Sequence, residues 1–389
     1  MILQQLRRRT PLGWIQLCHN KTRLLVSIGG IAFADILMFM QLGILNGLYD
    51  SNTAPHRQLQ TDIVLVSTQG RQLTNLLSFP RRRLYQTMDV PGVASAQALY
   101  INFIDWKHPE TRQKTAMLVV GVNPDTKAFD LPEVNQSLDK IKLPDTVLFD
   151  RAARGNYQWV IAQVEQGRTV TTEIERRTIT IAGLFELGAS FTTDGILLTS
   201  DQSFLRLFPS RQAGQVSLGL VQVQPGSDPE AVVEDLNAYL PQDVKAMTKQ
   251  GFVDFEKAYI DQNQPIAFVF GLATTIGFIV GIVIVYQILS TDVNDHLAEY
   301  ATFKAMGYRD RYLLGAIFEE ALILAAIGFI PGVGVSLGLY SLLRQVGALP
   351  IYMPLLRLVL VFTLTVVMCS LSGIVATRQL RSADPADIF

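Results

Sequence analysis

Residues 24–49 read LLVSIGGIAFADILMFMQLGILNGLY. A helix needs about 20 apolar residues to cross the hydrocarbon core of a bilayer, and this run is longer than that. Three more apolar runs of sufficient length lie in the last third of the chain, and the stretch between the first and second runs is polar. The layout predicts an α-helical membrane protein with four transmembrane helices, one plus three, and a large α+β extracytoplasmic domain inserted between helices 1 and 2.

The hydropathy pattern divides the chain into nine segments. In chain order we predict an amphipathic N-terminal segment (1–23), transmembrane helix 1 (24–49), the outer α+β domain (50–265), transmembrane helix 2 (266–289), an inner loop (290–312), transmembrane helix 3 (313–343), a short outer loop (344–354), transmembrane helix 4 (355–377) and a tail (378–389).

Basic residues set the orientation of these segments. Residues 1–23 contain five Lys or Arg and no acid, so the positive-inside rule predicts a cytosolic N-terminus. Four crossings then return the tail to the cytosol. Arg344 and Arg357 flank the short outer loop against this rule, and we expect them to snorkel at the interface.

Two readings of the N-terminus stay open. The residues before the first apolar run form either a short amphipathic helix on the inner surface or simply the cytosolic start of the first span. A cleaved signal peptide is the rival to an uncleaved first span. The apolar run is long for a signal peptide, and no small-x-small cleavage site follows it clearly.

Composition excludes several classes of function. The net charge is −1, so no strong field favours nucleic acid. The two cysteines, Cys18 and Cys369, lie outside the outer domain, which therefore has to fold without a disulfide. We find no phosphate-binding loop, metal-ligand cluster or catalytic motif, so we expect neither an enzyme nor a directly bound cofactor.

Polar and small residues inside the apolar runs are candidates for helix–helix contacts. Asp35 lies near the middle of the first run, and Glu319 and Glu320 lie near the inner end of the third. A carboxyl group at the position of Asp35 is costly, so we expect it to face the bundle interior or a polar cavity, for a helix–helix hydrogen bond or for a substrate or proton contact. We expect Glu319 and Glu320 to have structural roles, either facing the interior near the headgroups or bonding to the adjacent loop. Glycines four residues apart predict close helix packing at Gly277, Gly281, Gly328, Gly332, Gly334 and Gly338.

The inner loop carries a motif. Residues 295–308 read DHLAEYATFKAMGY, and helical spacing places its apolar and charged residues on a short surface helix that Gly307 ends. We expect this loop to dock a cytosolic partner through Leu297, Glu299, Tyr300, Phe303, Lys304, Ala305, Met306 and Gly307.

The loop resembles that of the MacB/FtsX-like ABC permeases, in which a pattern E-x-x-x-x-K/R-A-x-G recurs. The one-plus-three layout is also similar to that family's, and so are Pro91-Gly92-Val93, residues 120–125 (VGVNPD) and the tail sequence Asp384-Pro385-Ala386. Residues 188–195 (GASFTTDG) resemble the cyanobacterial DevC-type permeases, which are implicated in glycolipid export.

The resemblance implies a permease that works as a homodimer with a separate ABC ATPase subunit, since no ATPase domain is fused to the chain. Residues 290–312 would be the coupling loop and residues 50–265 a periplasmic core domain. ATP and Mg²⁺ would bind only to the ATPase. A periplasmic adaptor (a membrane fusion protein), an outer-membrane channel and membrane lipids would be the other partners, in a bacterial inner membrane.

Three alternative functions are compatible with the sequence to different degrees. An FtsX-like transmitter would activate a cell-wall hydrolase and transport nothing. A lipoprotein-releasing permease would use the same architecture. A secondary transporter is disfavoured, because four spans show neither inverted repeats nor several buried charges.

Overall fold

The computed structural model describes residues 21–70, 77–174, 177–263, 265–296, 299, 302, 306, 310–347 and 350–382. The chain divides into two compact units. The membrane unit comprises residues 1–46, 266–343 and 351–389, and the outer unit comprises residues 47–265 and 344–350.

The membrane unit is built from four long apolar helices. They are α1 (Lys21–Arg57), α8 (Ile266–Asp295), α9 (Asp310–Gly347) and α10 (Leu355–Ser382). Each contains a stretch long and apolar enough to cross a membrane. Many of their large apolar side chains are exposed, as expected of helices that face lipid. The predicted one-plus-three arrangement of spans is confirmed.

The first helix is longer than its apolar run. It begins at Lys21 and ends at Arg57, so its last turns belong to the outer unit. Pro55 lies inside the helix, and His56 and Arg57 form its last turn. Basic residues at this end stabilise the helix because they complement the helix dipole.

A mixed sheet forms the centre of the outer unit. Among the described residues it has nine strands, in the order β11-β1-β10-β3-β4-β8-β5-β7-β6. Their bounds are β1 (Ile63–Ser67), β3 (Val93–Lys107), β4 (Lys114–Val122), β5 (Thr146–Asp150), β6 (Val170–Ile174), β7 (Arg177–Phe185), β8 (Gly195–Ser200), β10 (Leu218–Val223) and β11 (Val244–Thr248). A short pair, β2 (Phe79–Pro80) and β9 (Gln215–Val216), lies apart from it.

Short helices cover the sheet. They are α2 (Arg82–Thr87), α3 (Pro132–Ser137), α4 (Gln158–Glu165), α5 (Asp201–Leu207), α6 (Pro229–Tyr239) and α7 (Lys249–Asn263), with a 3-10 turn at Leu138–Lys142. Asp228 caps α6 by accepting a hydrogen bond from the Glu230 backbone N–H, as its sequence position predicts. Gly92 adopts a positive φ of 87° in the turn after Pro91, a conformation that favours glycine.

Two apolar cores lie against the sheet. One contains Trp106, Phe149 and Phe204, and the other contains Phe129, Phe185 and Phe252. Central strands such as β1 are buried along their whole length, which is why they read as continuous apolar runs rather than as alternating ones.

Candidate functional site

Charged side chains meet where α1 begins and α8 ends. The Arg23 guanidinium lies 3.0 Å from both the Asp292 and the Asp295 carboxylates and donates a 2.9 Å hydrogen bond to the Ile288 carbonyl. The Asp292 side chain is only 5% exposed. We call Arg23, Asp292, Asp295 and Glu320 the inner polar cluster.

Glu320 brings α9 into this cluster. Its side chain is 2% exposed and adjoins Asp292 within reach of the Arg23 charge. One cation therefore faces three carboxyl groups from two other helices. Removing that cation would leave Asp292 and Glu320, which are both almost fully buried, without the Arg23 charge.

The cluster includes the first residues of the predicted coupling loop, 290–312, because α8 continues to Asp295. The His296 ring lies 4.0 Å from the Asp292 carboxylate on one side and 3.2 Å from the Glu299 carboxylate on the other. A chain of polar contacts thus runs from Arg23 on α1 to Glu299. Of the other predicted loop residues, Met306 is exposed, and the rest lie outside the described residues.

Asp35 lies inside the helix bundle and is fully buried. Its Oδ1 accepts a 2.5 Å hydrogen bond from the Thr365 hydroxyl on α10, and Oδ2 has no hydrogen-bond partner among the described residues. Helix α9 also approaches Asp35 closely at Gly332. A Cβ added to Gly332 would lie 2.9 Å from the Asp35 Cβ, so a larger residue would collide there. Of the two roles predicted for Asp35, this geometry displays the helix–helix hydrogen bond.

Further along α1, a third polar contact joins it to α9 and α10. The Tyr340 hydroxyl donates a short hydrogen bond to the Phe39 carbonyl, and Arg357 lies within 3.4 Å of the same hydroxyl. Arg357 also donates a 2.7 Å hydrogen bond to the Tyr352 carbonyl and is only 5% exposed. The Tyr352 carbonyl and the Tyr340 hydroxyl therefore hold the Arg357 guanidinium, whereas its position at the membrane interface stays a prediction.

The predicted packing glycines fall into two groups. An added Cβ would lie 3.4 Å from Leu37 at Gly277, 2.1 Å from Met368 at Gly281 and 2.7 Å from Ile31 at Gly328. Gly332 belongs to the same group through its contact with Asp35. Gly334 and Gly338 face open space, so they do not pack within the described chain. Glu319 is half-buried, whereas its neighbour Glu320 is buried.

The sequence reading missed Asp292, Asp295 and Tyr340. A signal for the first two was present: the positive-inside topology brings Arg23, the end of the second span and Glu320 to the same side of the membrane. Tyr340 carried no comparable signal, since aromatic residues are common near span ends.

In the outer unit, a buried carboxylate organises the loop that follows β7. Asp150 accepts hydrogen bonds from the backbone N–H groups of Ala152, Leu187 and Gly188, at 3.0, 3.1 and 2.8 Å. Burial raises the pKa of Asp150 to about 6, and the three N–H groups oppose that rise. Arg154 also holds the loop through Asp194. The segment 188–195 is thus a fixed loop.

Two family models match the chain. The MacB-like periplasmic core domain matches residues 24–239, and the C-terminal domain of FtsX-like permeases matches residues 271–385. No curated protein matches the chain at comparable strength.

Solved structures also match part of this chain, at low sequence identity. The periplasmic region of MacB from Actinobacillus actinomycetemcomitans is 11% identical, with a TM-score of 0.33, over 53% of this chain and 95% of that one. The extracellular domain of the ABC-type transporter YknZ from Gram-positive bacteria is 12% identical, with a TM-score of 0.32, over 48% and 100%.

The assignment rests on the family models, which cover the first span, most of the outer unit and the last three spans in the expected order. The first model alone spans more than half of the chain. The chain is a multi-pass membrane protein, and it belongs to the MacB-like, FtsX-like permease family of ABC transporters.

Proposed function

We propose that this chain is the permease subunit of an ABC exporter, in which a separate ATPase subunit drives motion that the permease passes to its outer unit. ATP and Mg²⁺ bind to the ATPase subunit. The cargo is a lipid, a glycolipid or another hydrophobic molecule that the outer unit handles outside the membrane, as the similarity of residues 188–195 to DevC-type permeases suggests.

The observation that carries this proposal is the way α1 is tied to the other spanning helices. Polar contacts join it to α8 and α9 at Arg23, to α10 at Asp35, and to α9 at Phe39. Close glycine contacts at Gly281 and Gly328 add to them. A tightly packed bundle suits a transmitter of motion, because packed interiors shift between discrete arrangements instead of deforming continuously.

The same contacts define a route by which motion of the ATPase would reach the outer unit. Closure of the ATPase would move the coupling loop, in which Glu299 contacts His296 and His296 lies 4.0 Å from Asp292 at the end of α8. Asp292 is paired with Arg23 at the start of α1. Because α1 begins in the membrane unit and ends in the outer unit, its motion would reach the outer unit along one continuous helix.

The remaining partners follow from the family. We propose a homodimer in a bacterial inner membrane with both termini in the cytosol, working with a periplasmic adaptor and an outer-membrane channel. The exposed apolar side chains of the spans would contact membrane lipids. The predicted orientation rests on the basic residues of the N-terminal segment.

Two substitutions in the coupling loop test the proposal. We expect Lys304→Glu and Gly307→Pro each to abolish co-purification of the ATPase while the protein still inserts into the membrane, because one reverses a charge and the other replaces the glycine that the sequence predicts to end the loop helix. Lys245→Glu, on an exposed position of β11, is the matched control and should retain the ATPase. Full ATPase association in both loop variants would contradict the assignment of the loop.

A further inference from the structure

A small polar cavity lies inside the outer unit, where the outward end of α1, helix α7 and the loop that follows β7 meet. Its volume is about 20 Å³. Its polar lining residues are Ser51 and Asn52 of α1, Glu256 of α7, and Ser190, Thr192 and Thr193 of the loop. Apart from Glu256, these residues carry uncharged amide or hydroxyl groups. The cavity is therefore suited to a small ligand that forms hydrogen bonds.

Asn52 presents a buried hydrogen-bond acceptor to this cavity. The residue is 9% exposed, and its Oδ1 atom has no hydrogen-bond partner among the described residues. A buried amide oxygen without a donor destabilises the folded state, and most buried polar atoms in proteins are paired either with protein groups or with ordered water. The Asn52 Oδ1 therefore requires a donor that the surrounding described side chains do not supply.

The hydroxyl groups around the cavity bond mainly to one another and to the backbone. The Ser51 hydroxyl donates a 3.1 Å hydrogen bond to the Leu48 carbonyl. The Ser190 hydroxyl oxygen accepts the backbone N–H groups of Thr192 and Thr193 at 3.1 and 3.0 Å, and it lies 3.0 and 3.1 Å from their hydroxyl oxygens. Two contacts among the three loop hydroxyls use two of their three hydrogens, so one hydrogen remains for a further acceptor.

One water molecule fits both the size and the chemistry of this cavity. A water needs about 10–15 Å³ of such space, so a volume of about 20 Å³ is sufficient for one water and too small for an organic ligand. A buried water typically makes about three hydrogen bonds. A water in this cavity can donate to Asn52 Oδ1 and to the Glu256 carboxylate, and it can accept the remaining hydroxyl hydrogen of the loop. Glu256 also lies 3.5 Å from His56, and a carboxylate accepts several hydrogen bonds at once.

We propose that this cavity is the binding site of one ordered water molecule, which links Asn52 on α1 to Glu256 on α7 and to the loop turn at residues 190–193. A hydrogen bond through a water is nearly as favourable in enthalpy as a direct one. The water therefore holds the loop against both helices. This inference does not depend on the proposed function, because it concerns only hydrogen bonding within the outer unit.

A structure of the full-length protein in detergent, at a resolution that shows ordered water, tests the site directly. We expect one peak of density within hydrogen-bond distance, about 2.5–3.0 Å, of Asn52 Oδ1. The neighbouring cavity of about 10 Å³, whose lining includes Leu99, Val120 and Phe129, should contain no peak, since small apolar cavities stay dry. The lack of a peak beside Asn52 in a map that shows other buried waters would overturn the proposal, and so would a metal ion at that position.

A matched pair of substitutions tests the same site through stability. Valine and threonine have nearly the same shape, so Asn52→Val and Asn52→Thr differ mainly in the hydroxyl group that can bond the water. One such hydrogen bond should raise the melting temperature of a unit of this size by about 2–4 °C. We therefore expect Asn52→Thr to melt at a temperature higher than that of Asn52→Val by about this amount.

Thermal unfolding of the full-length variants in detergent is followed by tryptophan fluorescence, because Trp106 is buried in the outer unit. Gln202→Val and Gln202→Thr, at an exposed position of α5, are the matched control pair and should melt at nearly the same temperature. Equal melting temperatures for the two Asn52 variants, or a higher one for Asn52→Val, would overturn the proposal, because in a dry cavity the threonine hydroxyl has no water to bond. Failure of the wild-type protein to bind any ATPase would refute the proposed function and leave both of these tests unaffected.

Discussion

At the scale of single residues, specific partners hold the buried carboxyl of Asp150 and the half-buried guanidinium of Arg23. Asp150 is held by three backbone N–H groups, whereas Arg23 is held by two carboxylates and a carbonyl. In both places one side chain organises a segment that connects larger elements. Substitutions there should therefore have effects that surface substitutions lack.

The raised pKa of Asp150 should make the stability of the outer unit depend on pH. Its pKa is raised to about 6, above the value near 3.9 of an unfolded chain, so its contribution to stability is complete below about pH 4 and is lost as the pH rises through 6. Over this range the free energy of unfolding falls by roughly 3 kcal/mol. We expect this component to be missing from the pH profile of thermal unfolding of Asp150→Asn. That variant should also be less stable overall, because the new amide group cannot accept the Gly188 N–H bond. An unchanged pH profile would contradict the prediction.

Arg23 should be the most sensitive member of the inner polar cluster. Arg23→Gln leaves Asp292, Asp295 and Glu320 without their cation, and breaking such a buried pair costs about 3–5 kcal/mol. Chemical unfolding in detergent micelles measures the loss. Arg57→Gln is the matched control, because Arg57 makes an exposed pair with Asp50 and should cost no more than about 1 kcal/mol. Equal losses of unfolding free energy in the two variants would mean that the inner polar cluster stabilises the protein no more than an exposed ion pair does.

At the scale of elements, α9 carries glycines that pack against another helix and glycines that face open space. In α9, Gly328 packs against Ile31 of α1, whereas Gly338 faces open space. Gly328→Ala would place a methyl group within 2.8 Å of the Ile31 Cβ, so it should destabilise the bundle by about 1–3 kcal/mol.

The matched substitution Gly338→Ala should be neutral or slightly stabilising, since alanine favours helix over glycine by about 1 kcal/mol. Unfolding of both variants in the same detergent compares them. A larger loss at Gly338 than at Gly328 would contradict the packing described for α9.

At the same scale, residue patterns identify some strands of the outer unit and not others. Apolar, β-branched runs at 61–67, 116–122, 146–149, 177–184 and 218–223 favour strands, and each overlaps an observed strand. The long strand β3 lacks such a pattern because Ala, Ser and Gln dilute its first half, where it pairs with β10.

At the scale of the whole molecule, hydropathy and charge are sufficient to predict the layout of the spans. Each spanning helix must by itself be long and apolar enough to cross the bilayer and must pair its own backbone groups. Contacts between distant segments are different. Arg23 and Asp292, or His56 and Glu256, are some 200 or more positions apart, and their residue types are common at surfaces. Only the fold brings them together and buries them, so no local pattern could identify them.

Under the proposed function, this chain transmits the motion of an ABC ATPase to the outer unit. Affinity purification of the intact protein from native membranes after mild crosslinking, with partners identified by mass spectrometry, tests this function directly. We expect an ABC ATPase subunit together with a periplasmic adaptor. An ATPase with a cell-wall hydrolase would indicate signalling instead of export, and the absence of any ATPase would refute the proposed function.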